Sequence, residues 1–390
     1  MHAKLILKRR EDVRLRSGHL WVFSNEIDGI IGTAENGDLI DVYDSSETLF
    51  GTGFYNKSSL IAVRILDKGL VEDLYPLFKE RIFKAYEIRK TFYPELDSFR
   101  LVFSESDYMP GLIIDKYNKT FVMQVYSFGM QKNISTVIRI LQEEFGAENI
   151  FTKHESYFRI MEGLPETDEI FLGERKSEII SDGSLSFNIN FETGQKTGFF
   201  FDQRDNRFFI EKFAKDRTIL DAFCNSGGFG MHAAKAGAAS VAFVDSSLCE
   251  IENTKRNIEL NNLKGRFNFY EEDVFEFLNK EIAAQKKYDI VMIDPPAFAK
   301  SKKQISIASK GYEKLNKRAL QIVAKNGYLV TSSCSHFINR SSFFEILVDA
   351  SRKANVNIQL VYFSGASLDH PQLPAMPETS YLKFAVLRVD

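Results

Sequence analysis

Cysteine is scarce in this chain of 390 residues: Cys224, Cys249 and Cys334 are an odd number with no paired spacing of the zinc or thioredoxin kind. That argues against a disulfide framework and points to a reducing compartment. His232 and His336 show no metal-like spacing either. An excess of charge of one sign is also missing, with 50 Lys and Arg against 53 Asp and Glu. Any site for a polyanion must then be a local patch. No apolar run is long and uninterrupted enough to span a bilayer, and the opening MHAKLILKRRED turns charged before a signal-peptide core can form. The expectation is a soluble, cytoplasmic protein of two or three domains, without internal repeats.

What is present is centred on Thr218 to Asp245, TILDAFCNSGGFGMHAAKAGAASVAFVD. A short apolar run closes on Asp221, and the small-residue turn Asn225-Ser226-Gly227-Gly228 leads into a helical pattern. A second apolar run ends on Asp245. This reads as strand, glycine-rich turn, helix, strand, a βαβ unit for a nucleoside-bearing ligand. Glycine lets backbone approach a ligand closely, and an acid after the second strand can accept hydrogen bonds from ribose hydroxyls.

The flanking chain divides into three regions. Residues 1–70 show short β-rich runs between turn formers and suggest a small β domain. Its first twenty residues carry six cations, among them Lys8, Arg9 and Arg10, against two anions, and either contact RNA phosphates or form a solvated surface. Residues 71–190 begin with an amphipathic helix that stops before Pro94 and continue as strands around one helix, an α+β region. From 191 to 390, strands expected at 219–223, 241–244, 266–270, 290–293, 328–331, 358–363 and 381–389 alternate with helices. That pattern is a Rossmann-like, mostly parallel α/β sheet, which binds ligands at the carboxyl ends of its strands.

Those ends are the informative part. Strand one ends on Asp221 and its turn, strand two on Asp245, strand three before Asp273, strand four on Asp294-Pro295-Pro296 and strand five on Ser332-Ser333-Cys334-Ser335. One acid at a strand end is commonplace; a series in register with a βα repeat is not surface decoration. The two prolines forbid strand four from continuing. Beyond them, residues 300 to 318 hold seven cations, including Lys300, Lys302 and Lys303, against one anion. With Phe298 and Tyr312 nearby, this segment suits a phosphate backbone and a stacked base.

Together, Gly194-Gln195-Lys196-Thr197-Gly198-Phe199, Asp202-Gln203-Arg204-Asp205, the 221–229 stretch and Asp294-Pro295-Pro296 resemble the class I S-adenosylmethionine-dependent RNA methyltransferases. More closely, they resemble the large-subunit ribosomal RNA cytosine-5 methyltransferases that carry an N-terminal PUA domain. Asp369-His370-Pro371 and the 374–383 segment also fit, so the resemblance spans the chain. It implies S-adenosylmethionine as cofactor, with Asp245 at the ribose, Asp273 at the adenine end, and Asp221, Phe223, Asn225, Gly227 and Gly228 around the methionine part. Lys196, Thr197 and Gln203 would close over the cofactor. Asp294 would border it and face the target base, and Cys334 would be the nucleophile. The implied partner is large-subunit ribosomal RNA or an assembling large subunit, with a homodimer as a further possibility.

The chemistry asks for these residue types. Carbon 5 of cytosine becomes nucleophilic enough to take a methyl group once a thiolate has added to carbon 6. An acid at ring nitrogen 3 favours that addition. Only one thiol is available here, in Ser332-Ser333-Cys334, and Asp294-Pro295-Pro296 lacks the second cysteine other RNA cytosine-5 enzymes use for product release. Three rivals stand beside this reading. An NAD-dependent oxidoreductase is disfavoured because the turn is not G-x-G-x-x-G. A methyltransferase acting on an exocyclic nitrogen would use the acid-Pro-Pro end and leave Cys334 structural. An RNA-binding assembly factor with a dead pocket is disfavoured by the intact acids.

Overall fold

The computed structural model describes residues 2–299 and 301–390. The chain forms two compact units. The first takes residues 1–183, 189–201 and 368–379; the second takes 184–188, 202–367 and 380–390. The first therefore combines the expected β domain with the α+β region, and recruits a short segment from near the C-terminus.

In the first unit, a six-stranded sheet runs in the order Trp21–Phe23, Ile61–Asp67, Leu49–Tyr55, Leu39–Tyr43, Ala3–Leu7, Ile27–Ile31. Alternation along these strands puts Leu5, Leu7, Val22, Ile40, Val42 and Val63 into one core, which Met376 completes. A five-stranded sheet follows in the order Ile170–Leu172, Asn149–Thr152, Thr120–Val125, Leu112–Tyr117, Ser98–Phe103. The helix Leu74–Phe92, capped by Asp73 and ended before Pro94, packs Phe78, Ile82 and Ala85 against this core.

The second unit holds a seven-stranded sheet. Its strands are β1 (Thr218–Ala222), β2 (Ser240–Asp245), β3 (Phe267–Glu271), β4 (Tyr288–Ile293), β5 (Val323–Ser333), β6 (Ile358–Ser364) and β7 (Lys383–Val389), in spatial order β3-β2-β1-β4-β5-β7-β6. All neighbours are parallel except β7, which runs antiparallel to β5 and β6. Helices α1 (Arg204–Glu211), α2 (Gly228–Lys235), α3 (Leu248–Leu260), α4 (Val274–Ala283), α5 (Ile305–Ile322) and α6 (Arg340–Ala354) accompany it. Burial on both faces explains why β1, β2 and β4 read as continuous apolar runs. This is the Rossmann-like, mostly parallel α/β sheet expected from the sequence. Register fixes the rim: Ala222 pairs with Val244 on one side and Ile293 on the other, so Phe223, Asp245 and Asp294 lie level with one another at the strand ends.

Candidate active site

The turn after β1 is held in a conformation that side chains disfavour. Phe223 and Asn225 have φ of 61° and 47°, and Gly227 has 83°, so three of five residues are left-handed. Each non-glycine case costs on the order of 1–2 kcal/mol and persists only where neighbours over-determine it. Here they do. Cys224 N donates to the Val244 carbonyl (3.1 Å), and Asn225 N to Asp245 Oδ2 (3.0 Å). From α3, Thr254 Oγ1 donates to the Asn225 carbonyl (2.9 Å) and Asn257 Nδ2 to the Ser226 carbonyl (3.1 Å). Both residues are buried, and sequence reasoning missed them because an isolated Thr and Asn on a helix look like surface.

The glycines answer to the protein's own packing. A Cβ at Gly228 would lie 2.5 Å from Arg207 Nε, and one at Gly227 would lie 2.6 Å from Thr254 Cγ2. A side chain at Gly228 is thus excluded by a guanidinium from α1.

The acids differ in their surroundings. Asp221 is 1% exposed and accepts from Gly230 N at 2.7 Å. Burial, with help from the charges of Asp294 and Asp245, pushes its pKa up to about 7 against the opposing Gly230 N–H and Arg207. Asp245 accepts from Asn225 N with one oxygen and from Ser247 N with the other, at 3.0 Å each. Each oxygen keeps a lone pair for a further donor. Asp273 is exposed and caps α4, accepting from Phe275 N (2.9 Å) and Glu276 N (3.1 Å).

Asp294 sits where β4 meets β5. Its Oδ1 accepts from Gln203 Nε2 at 3.1 Å and from the Ser332 hydroxyl. Burial foremost, then the neighbouring Asp202 charge, raises its pKa to about 6, while Ser332, Gln203 and Arg207 pull the other way. Cys334 is half-buried, and its Sγ lies 4.0 Å from the Pro295 carbonyl. The two residues expected to do chemistry therefore share one rim. Cys224 is buried, which drives its thiol well above the usual range, and Cys249 is exposed.

Lys196 and Thr197 belong to the first unit: the Lys196 ammonium stands 5.5 Å over the Phe200 ring, and Thr197 is buried. Tyr312 requires a correction. It is 0% exposed, tilted against Phe298 with ring centroids 4.5 Å apart, and its hydroxyl bonds Ser335 Oγ at 3.0 Å. An aromatic residue at helical spacing packs inward when its face of α5 meets the sheet, so this ring is no stacking platform. Lys300 lies outside the described residues, Lys302 begins a 3-10 turn, and Lys303 is exposed. Farther along, Arg318 donates to Asn279, and Glu313 pairs with Lys353. At the N-terminus, Lys8, Arg9 and Arg10 are exposed, whereas Arg14 and Arg16 are engaged with Glu26, Asp12 and Asp44.

Two families match the chain: a PUA-like domain over residues 5–68 and an S-adenosylmethionine-dependent methyltransferase over residues 169–384. The chain belongs to the S-adenosylmethionine-dependent methyltransferases. It is 34% identical over 394 residues to the ribosomal RNA large subunit methyltransferase I of Pseudoalteromonas atlantica, with 100% of both chains covered. It is 37% identical over 358 residues to a candidate large-subunit ribosomal RNA methyltransferase of Methanocaldococcus jannaschii, covering 91% of this chain and 90% of the other. A candidate methyltransferase structure from Streptococcus mutans superposes with a TM-score of 0.85 at 20% identity over 100% of both chains, which shows the shared fold. Another of that fold, at TM-score 0.86 and 20% identity over 100% of both chains, was solved with S-adenosylhomocysteine.

The methyltransferase's donor set fits its cofactor. Asp245 keeps acceptor capacity on both carboxylate oxygens, as vicinal hydroxyls would require, and the strained 223–227 turn holds backbone at the rim beside Asp221. Among the described residues, no helix is long and apolar enough to cross a membrane.

Proposed function

We propose that the methyltransferase modifies carbon 5 of a cytosine in large-subunit ribosomal RNA, with Cys334 bonded to carbon 6 during turnover. The observation that carries this reading is the meeting of Cys334 and Asp294 at adjoining strand ends, the thiol sulfur 4.0 Å from the carbonyl of Pro295. S-adenosylmethionine supplies the methyl group when bound. Asp245 orients the nucleoside end, and the 223–227 turn borders the methionine end. The Cys334 thiolate gives its electron pair to carbon 6, which makes carbon 5 the nucleophile. Asp294, with a pKa raised to about 6, keeps a protonated fraction near neutrality and can donate to ring nitrogen 3. Gln203 and Ser332 fix its carboxyl. Loss of the carbon-5 proton to water, return of the nitrogen-3 proton to Asp294 and departure of the thiolate with its electron pair then restore the ring.

Ribosomal RNA as substrate is supported by the names of the relatives aligned along the whole chain. Mapping modified bases by mass spectrometry, in large-subunit RNA from cells with and without the gene, tests the reading. One 5-methylcytosine should vanish. Loss of an exocyclic N-methyl group instead would favour the rival in which Cys334 is structural.

A further inference from the structure

A thiol at its ordinary pKa of about 8.5 is only a few per cent thiolate at neutral pH, so a nucleophilic Cys334 calls for a local cation. The second unit supplies one. Lys383 begins β7 and pairs across the sheet with Ser333, which precedes Cys334. Its side chain turns back along the chain that carries the thiol. The Nζ donates to the Ser335 carbonyl at 2.6 Å and to the Tyr381 carbonyl at 2.6 Å. The ammonium is thus clamped against the 333–335 segment, with Cys334 in its middle.

The placement is unusual for a lysine. Lys383 is 6% exposed, and among the described residues no carboxylate lies within ion-pair distance of its Nζ. Buried lysines ordinarily pair with an acid. The groups around it are the Tyr312 hydroxyl, which bonds Ser335 Oγ; the Tyr381 hydroxyl, bonded to Asp202; His336, whose ring lies 5.4 Å from that of Tyr381; and Cys334. The first two have their own partners, and an imidazole supplies no negative charge whether protonated or not. Among the four, Cys334 is the group whose ionised form offsets the ammonium. Burial lowers the Lys383 pKa to about 8, and Cys334 is the neighbour that opposes that fall.

We propose that Lys383 is the positioning residue that holds Cys334 as a thiolate, so that the nucleophile is charged before the base arrives. This rests on the cytosine-5 reading. Cys334 yields its S–H proton to water, and Lys383 keeps its three protons. The sulfur pair forms the S–C6 bond, and when that bond breaks the pair returns to sulfur beside the same ammonium. Nothing is oxidised or reduced.

Alkylation of Cys334 by iodoacetamide, followed by peptide mass spectrometry from pH 5 to 10, reads this directly in the full-length protein. Cys249→Ser removes the exposed competitor. The unaltered lysine should give a Cys334 midpoint at least one pH unit below the ordinary thiol value of about 8.5. Lys383→Met should raise the midpoint by a unit or more and slow alkylation at pH 7 about tenfold, while Lys383→Arg restores part of it. Binding of S-adenosylmethionine, followed by calorimetry, certifies the fold of each variant. A midpoint at or above the ordinary value with Lys383 in place overturns the proposal without any variant, as does a folded Lys383→Met with an unmoved midpoint. A lysine-dependent low midpoint without any adduct on 5-fluorocytidine RNA would uphold the ion pair and sink the cytosine-5 reading.

Discussion

Buried charge is handled in opposite ways in the two units. In the first, Arg64 donates to Glu105 at 2.9 Å and to Glu162 at 2.8 Å, while Trp21, Ser59 and Asn56 fill further acceptor sites on those acids. Arg89 grips Asp107 with two bonds of 2.6 and 2.7 Å. Opposite signs meet there, and the polar atoms are largely used within the fold. At the rim of the second unit, carboxylates face carboxylates: burial pushes Asp221 and Asp294 upward, helped by Asp294 and Asp245 in the first case and by Asp202 in the second, tempered by Arg207. Lys383 in turn has no acid within ion-pair distance among the described residues. Structural networks cancel their charge, whereas a site that must receive a cationic sulfonium, ribose hydroxyls and a base leaves its groups for the ligand to satisfy.

The comparison can be broken at its paired end first. Arg64→Met leaves Glu105 and Glu162 buried without their cation and should cost about 3–5 kcal/mol in chemical denaturation. A loss below about 1 kcal/mol would show that the network is not the structural element described. Asp221→Asn tests the like-charged end in the reverse direction. The folded pKa of about 7 lies above the unfolded value of about 3.9, so stability is full below about pH 4 and is lost as pH rises to about 7. The variant should therefore equal the parent at pH 4 and exceed it by on the order of 4 kcal/mol at pH 8. An identical pH profile for both proteins would contradict the burial argument.

Smaller effects sharpen the division of labour. Asp245→Ala should weaken S-adenosylmethionine binding tenfold or more, about 1.4 kcal/mol, because both carboxylate oxygens are poised at the rim. Calorimetry on the folded variant checks it, and an unchanged affinity removes Asp245 from the cofactor site. Replacing Lys8, Arg9 and Arg10 together by Ala should lower RNA affinity for every sequence and reduce the slope of log affinity against log salt by about two. An unaltered slope returns those three side chains to ordinary solvated surface.

Much of the second unit was legible because buried parallel strands leave continuous apolar runs that stop at an acid. Helix α3 occupies the expected Leu248–Leu260, and β1 and β2 fall within one residue of expectation. Less was legible where polar residues carry structure. Helix α5 starts at Ile305, six residues before the expected Gly311, since its opening Ile305-Ser306-Ile307-Ala308 alternates apolar and polar residues and carries no helical period. The strands Trp21–Phe23 and Ile27–Ile31 went unread because short edge strands leave no alternation to count. At the rim, the acids and Cys334 were nameable from strand ends, whereas Arg207 and Thr254 were not, and Lys383 matched the family only within the 374–383 segment and without a role, because such roles arise from contacts across elements. Asp369 and His370 matched the family without a role; they lie in the first unit, where Asp369 accepts from Arg100 N at 3.1 Å and His370 Nδ1 at 2.7 Å.

The most direct test of the account is covalent capture. Fluorine on carbon 5 cannot leave as a proton does, so RNA carrying 5-fluorocytidine should trap the methyltransferase after methyl transfer, as a band of altered mobility in denaturing gels. The adduct should map to Cys334, and Cys334→Ala should abolish both adduct and turnover while leaving S-adenosylmethionine affinity nearly intact. Full activity of Cys334→Ala, or no adduct with an RNA shown to bind and be methylated in its unfluorinated form, would contradict cytosine-5 chemistry at this site.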